Sequence, residues 1–155
     1  MDSANRAKIL QILDASSDLT IATNRPDGWP QATTTSFVHD GLTIFIGVGP
    51  EGQKAKNIAR DPRVSVVVDA PYHDWNEIKG VSMAAEAERV SDPKEISRIG
   101  TLMMSRFGDQ LKDLPPIGET NFAFLRIRPK IVSILDYSMG FGHTDQVNVA
   151  PTDLG

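Results

Sequence analysis

Residues 41–69 read GLTIFIGVGPEGQKAKNIARDPRVSVVVD. The stretch parses as strand, glycine-rich loop, short helix, strand. Leu42, Ile44, Ile46 and Val48 fall on one face of the first strand, because strand side chains alternate. Gly47, Gly49 and Gly52 then remove three side chains in succession, which frees the backbone for positive φ and close approach to a ligand. Gln53 and Lys54 occupy the first turn of the helix. Unpaired N–H groups at a helix start, with an ammonium beside them, suit an anion such as phosphate. Pro62 disfavours helical geometry at Asp61, and Arg63 to Val68 resume as a strand.

A competing pattern overlaps this cradle. Gly47-Val48-Gly49-Pro50-Glu51-Gly52 matches the dinucleotide fingerprint after a strand, with Asp69 ending the next strand. A helix from Gln53 to Arg60 is only about 12 Å long, short for a crossover between parallel strands. The nucleotide P-loop is also a near match, but Gln53 separates Gly52 from Lys54, and Ala55 stands where a magnesium-binding hydroxyl belongs.

Upstream, Asp2 or Ser3 caps a helix with Ile9, Ile12 and Leu13 on its buried face. Leu19–Asn24 and Gln31–Val38 form a hairpin around the turn Arg25-Pro26-Asp27-Gly28. The second strand carries Thr33, Thr34, Thr35 and Ser36, hydroxyls on both faces. That pattern fits a half-exposed strand. It equally fits a strand lining a polar, planar ligand, since hydroxyls donate and accept.

Downstream, Ala70–Asn76 is an aromatic and polar loop. It is either plain surface or a lid, in which Tyr72 or Trp75 lies against a ring and His73 donates a proton. Lys79–Val90 reads as a long strand with Val81, Met83, Ala85 and Ala87 inward. Asp92 caps a helix, with Pro93 at its first position and Glu95 closing a capping-box-like arrangement. Ile96, Ile99, Met103 and Phe107 are its buried stripe, and Gly108 is expected to stop it. Residues 113–118 read as loop, and Asn121–Tyr137 as one strand bent at Pro129. The tail, residues 138–155, reads as flexible by composition at Ser138–Asp145.

The 155 residues are expected to form a single domain, and an ordinary balance of 40% hydrophobic and 23% charged residues fits a globular core. The net charge of −4 argues against a nucleic-acid partner. Cysteine is absent, which excludes disulfides and thiolate chemistry and makes the cytoplasm the simplest compartment. No run approaches the ~20 apolar residues of a membrane span. His39, His73 and His143 lack metal-ligand spacing, so no metal is expected. Glu86 and Glu88 read as a solvated strand edge, no nucleophile elbow occurs, and no catalytic residue is assigned.

The ordered set Gly28-Trp29-Pro30, Thr33–Val38, Gly41–Gly47, Gln53-Lys54-Ala55, Asp61–Ser65, Ala85–Glu88 and Arg128-Pro129 resembles the pyridoxamine 5′-phosphate oxidase-like family. The resemblance covers most of residues 5–137. It implies a mainly β (α+β) fold, a six-stranded Greek-key split barrel with small flanking helices. It further implies a homodimer binding FMN in clefts between subunits, and an oxidoreductase acting on a small molecule. By the same resemblance, Thr33 to Ser36 run along the flavin, Ile46 and Gly47 give backbone contacts, and Gly52, Gln53 and Lys54 form the phosphate cradle. Tyr72, His73, Trp75 and His143 are ring or substrate contacts. Where family enzymes acting on pyridoxamine phosphate carry basic residues, this chain has Thr33, Val38 and Gln53, and their C-terminal Arg-x-His motif is missing. A different substrate is therefore expected. A deazaflavin cofactor, or a non-enzymatic flavin- or haem-binding module, are the alternatives.

Overall fold

A computed structural model of the chain describes residues 1–113 and 122–155. In chain order its elements are α1 (Ser3–Ala15), β1 (Asp18–Asn24), β2 (Pro30–Asp40), β3 (Thr43–Val48), α2 (Gln53–Arg60), β4 (Arg63–Asp69), β5 (Lys79–Arg89), α3 (Pro93–Leu111), β6 (Ala123–Asp136) and β7 (Thr144–Asn148). All strand pairings are antiparallel, in the order β3-β2-β1-β4-β5-β6-β7. A further pairing of β3 with β6 closes the first six strands into a barrel flanked by three helices. This is the split barrel expected from the sequence. β4 pairs with β1 and β5, and β3 with β2 and β6, so the strands flanking α2 are not neighbours. The parallel crossover of a dinucleotide fold is thereby excluded.

The split follows from where β3 spends its backbone hydrogen bonds. β2 pairs with β3 only from Phe37 to Asp40. Through its other edge β3 pairs with β6 from Ile44 to Val48, so Gly47 and Val48 run past the β2 ladder paired to β6 alone. Among the described residues, β2 between Pro30 and Ser36 is thus laddered to β1 alone, and its other edge opens on a notch. At the turn joining β2 to β3, Gly41 adopts φ +55°, and a Cβ there would overlap the Leu154 carbonyl.

Alternation places Leu19, Ile21, Val66, Met83, Ile134 and their neighbours inside the barrel, with α1 closing one side through Ile9, Ile12 and Leu13. A second core lies outside it. Val38, Phe45 and Phe124 back onto α3, where Ile99 and Phe107 are buried and Ile96 and Met103 partly so. Arg106 of α3 donates to the carbonyls of Leu13 (3.1 Å) and Ser16 at the end of α1. It satisfies acceptors that a helix end leaves unpaired, in the favourable sense of the helix dipole.

Three local expectations need correction. Gly108 does not end α3, which runs on to Leu111; an interior glycine costs only about 1 kcal/mol, and Phe107 and Leu111 pack on the second core. Asp92 caps the helix by accepting from the Lys94 N–H, but Glu95 closes no box, because Arg98 and Arg126 hold it. The tail is ordered. Beyond the end of β3, β6 has a free edge, and β7 fills it from Ile131 to Leu135. The C-terminal turn is tied down by Leu42 N–H donating to the Leu154 carbonyl (2.9 Å) and by an ion pair between the Met1 ammonium and Asp153 (3.2 Å). The bend at Pro129 is present as a register shift opposite Ala84 and Ala85. The expected loop over 113–118 lies, from residue 114 on, outside the described residues, as does Asn121. No helix is long and apolar enough to cross a membrane among the described residues.

Glu86 and Glu88 are exposed as expected, yet each is paired. Glu86 meets Lys130 at 3.1 Å; Glu88 meets Arg126 at 2.8 Å and Arg128 at 2.5 Å. The chain of pairs continues from Arg126 through Glu95 to Arg98 and Asp40. Hydrogen bonds from Arg98, then from Arg126, hold the Glu95 carboxyl below its ordinary value of 4.5. A carboxyl lowered on folding contributes stability above its unfolded value and loses it as pH falls through the folded one. Glu95→Gln should therefore lower the melting temperature by about 1–4 °C at pH 7, with the gap to wild type closing as pH drops below 4.5. A gap that persists unchanged into acid would show that packing, not charge, is what Glu95 contributes.

Candidate functional site

The notch is bounded by β2 from Thr33 to Ser36, by the end of β3, and by the loop leading into α2. The structure thus brings the predicted strand, Ile46, Gly47 and the α2 start to one place. Thr33 and Thr35 fall on the inward side of β2 and are half-buried; Thr34 and Ser36 face out. The outward pair is already engaged. Thr34 lies 3.4 Å from the Thr20 hydroxyl, and Ser36 donates to Asp18 at 2.7 Å. Thr33 differs: its hydroxyl is buried and has no hydrogen-bond partner among the described residues. Leaving such a group unpaired costs about 1–3 kcal/mol.

α2 is set against the strands by a polar tie that the sequence reading missed. Asn57 is fully buried. Its amide donates to the Thr23 hydroxyl (2.9 Å) and to Gln31 Oε1 (3.3 Å), while its Oδ1 accepts from Gln53 (2.7 Å). Gln53 is therefore turned along its own helix. Lys54 is half-buried and makes no ion pair among the described residues; desolvation lowers its pKa from the ordinary ammonium value. Gly52 caps the helix in an extended conformation, and none of Gly47, Gly49 and Gly52 takes the positive φ the sequence suggested. What they provide is room. At Gly47 that room is taken by Phe122, whose ring a Cβ would overlap. An aromatic side chain 75 positions downstream offers no pattern from which this contact could be read.

The other predicted contacts form a separate group. Trp75 lies 6.2 Å from Phe141, and Phe141 5.1 Å from Tyr137, so the loop of Tyr72, His73 and Trp75 packs on the segment leading to His143. His143 Nε2 is 3.0 Å from Asp145, and the His73 N–H donates to Glu77. This group sits where β5 begins and β6 ends; around the closed barrel β1 and β4 lie between β5 and β2, and β3 between β6 and β2. Where β6 reaches this group it is clear of β3, whose ladder covers only Ala123 to Ile127.

Residues 6–136 match the family described as pyridoxamine 5′-phosphate oxidase. The chain belongs to that family. General stress protein 26 of Bacillus subtilis is 26% identical over 131 residues, covering 84% of this chain and 88% of the relative. A conserved hypothetical protein of Mycobacterium tuberculosis has a structure similar to this one with a TM-score of 0.75 at 26% identity, covering 98% and 94% of the two chains. A heme binding protein of Mycobacterium smegmatis superposes with a TM-score of 0.76. At 21% identity, with this chain spanning 58% of its length, that likeness is one of fold.

The unpartnered Thr33 hydroxyl generates a direct test. Thr33→Val keeps the shape and removes the unpaired group. The ligand-free variant should melt a few degrees higher, at ~2–4 °C per kcal/mol. A lower melting temperature would reveal a partner for the hydroxyl and remove it from the site.

Proposed function

We propose that the chain is an FMN-binding oxidoreductase acting on a small molecule other than pyridoxamine phosphate. The observation that carries this reading is Lys54, a partly desolvated ammonium with no counter-ion among the described residues, at the first turn of α2 beside the notch. A phosphate there would restore to Lys54 the interaction that burial removed, and the helix start would add its N–H groups. The Thr33 hydroxyl gives the same notch a polar group in need of a partner. Flavin, when bound, supplies two-electron chemistry. The residues of the chain hold and orient it: Lys54 at the phosphate, Gly52 and Gln53 beside it, Thr33 and Thr35 along the notch wall, and the backbone of Ile46 and Gly47 at its far side.

Substrate choice follows from Val38. It stands where the family's pyridoxamine-phosphate enzymes place a substrate-binding lysine, and it is 2% exposed in the core beneath α3. No charge can be presented from that position.

A second copy of the chain belongs to the same proposal. Two rows cross the outer face of the sheet without a charge: Ala32, Ala22, Ser65, Ala84 and Ile131, then Thr34, Thr20, Val67, Ser82 and Ser133. Val67 and Ile131 are exposed there. A two-fold contact on this face is self-complementary, and the partner's aromatic group would supply ring contacts to the notch. Light scattering should give twice 16.9 kDa with or without flavin, and Ala84→Arg should return the monomer mass. A monomer for the unaltered chain would reject the shared cleft.

The cofactor test separates cradle from scaffold. Lys54→Ala should weaken FMN binding by about 10- to 150-fold, leave riboflavin affinity unchanged, and shift ligand-free stability by less than ~0.5 kcal/mol. Equal losses for FMN and riboflavin would make Lys54 structural. Saturable haem binding with no flavin affinity would favour the binding-module reading, which rests on fold likeness.

A further inference from the structure

We propose that the end of the barrel beneath α2 is a second ligand site, one that takes an amphipathic carboxylate with its alkyl tail inside the mouth. A cleft of about 380 Å³ opens there, between the end of β3, the start of β6, the end of β5 and the side of α2 away from Asn57. Its walls are apolar: Val48, Ile58 and Leu125, with Ala55, Ala87 and Ala123 between them. Side-chain size is what leaves the space. Larger residues at these alanines would fill the mouth as Leu125 and Ile58 fill their share of it. The volume lies within the ~300–1,000 Å³ usual for small-molecule pockets, and mostly apolar walls with few polar groups are the usual lining.

Charge at the rim selects the ligand. Lys56 and Arg89 border the cleft, and neither forms an ion pair among the described residues. Glu88 also borders it, but Arg126 and Arg128 already hold that carboxylate at 2.8 and 2.5 Å. Two uncommitted cations at the edge of an apolar mouth are complementary to one anionic head and one hydrocarbon tail. The tail gains by burial, and the head gains charge-assisted hydrogen bonds. A free inorganic anion lacks the first term, and a neutral alcohol lacks the second. The site is distinct from the notch, which lies on the Asn57 and Gln53 side of the same helix.

The test is calorimetric titration of the intact chain with n-octanoate, with n-octanol and acetate as controls. Octanoate should bind saturably and acetate should not. Octanol should bind roughly tenfold or more weakly, and the double variant Lys56→Ala/Arg89→Ala should weaken octanoate by a similar factor. Ala59→Leu borders the cleft from the exposed side of α2, where it does not disturb the core, and should abolish binding. A melting curve of that variant matching the unaltered chain confirms that it folds. No saturable octanoate binding overturns the proposal. Octanol binding as tightly as octanoate overturns the role of the two cations. Binding that Lys54→Ala removes and Ala59→Leu spares would put the carboxylate in the notch, and also overturns it.

Discussion

The pairing of β3 with two partners, over unequal lengths, is the constraint on which the rest of this structure depends. A strand has two edges, and each backbone N–H and C=O must find a partner or water. β3 gives one edge to β2 for four residues and the other to β6 for five. Closure onto β6 abolishes the open ends of the sheet, and departure from β2 creates the notch. The Gly47–Gly52 loop then has to return the chain across the opening, and α2 follows where Asn57 can fasten it to Thr23 and Gln31.

Polar groups do the fastening at each place where helices meet the barrel. Asn57 is satisfied from two strands and from its own helix, so the position of α2 is fixed by direction as well as by contact. Arg106 performs the equivalent service between α3 and α1, stacked over the Phe37 ring at 5.0 Å while its guanidinium serves the last carbonyls of α1. Asn57 is buried and Arg106 half-buried, and truncating either would strand its partners. The hydroxyl of Thr33 and the ammonium of Lys54 stand apart from this economy, because nothing described in the chain answers them.

Much of the architecture was legible because alternation is unambiguous where one face is buried. Ile44 and Ile46, Val64 and Val66, and Val81 and Met83 all face the interior as the period-two pattern required. α2 begins at Gln53 and ends at Arg60, as the glycines before it and Pro62 after it demanded. What escaped the sequence was long-range. β7 exists because β6 has an edge to offer, a fact local to neither segment; only the alternation of Asp145, Val147 and Val149 hinted at it. Glu95 looked like a capping residue until Arg126, 31 positions away, claimed it. That β2 and the start of α2 lie near one another could be read from the chain, but Asn57, a polar residue inside a short helix, gave no sign that it would anchor α2. The stacking of Trp75 near Phe141 joins residues 66 positions apart, which no local pattern of the sequence shows.

The last strand has a consequence for how the protein survives in a crowded solution. β3 covers β6 from Ala123 to Ile127, and β7 covers it from Ile131 to Leu135. Between them they leave no long stretch of that apolar strand with unsatisfied backbone groups, which is the template on which foreign chains add and fibrils begin. β7 itself is a poor template, only five residues long and carrying Asp145, Gln146 and Asn148. The C-terminal segment is therefore a guard as well as a strand. Proteolysis before Thr144 would spare every barrel pairing from β1 to β6, yet leave a molecule whose most apolar long strand, with Ile131 already at the surface, is open to the next chain it meets.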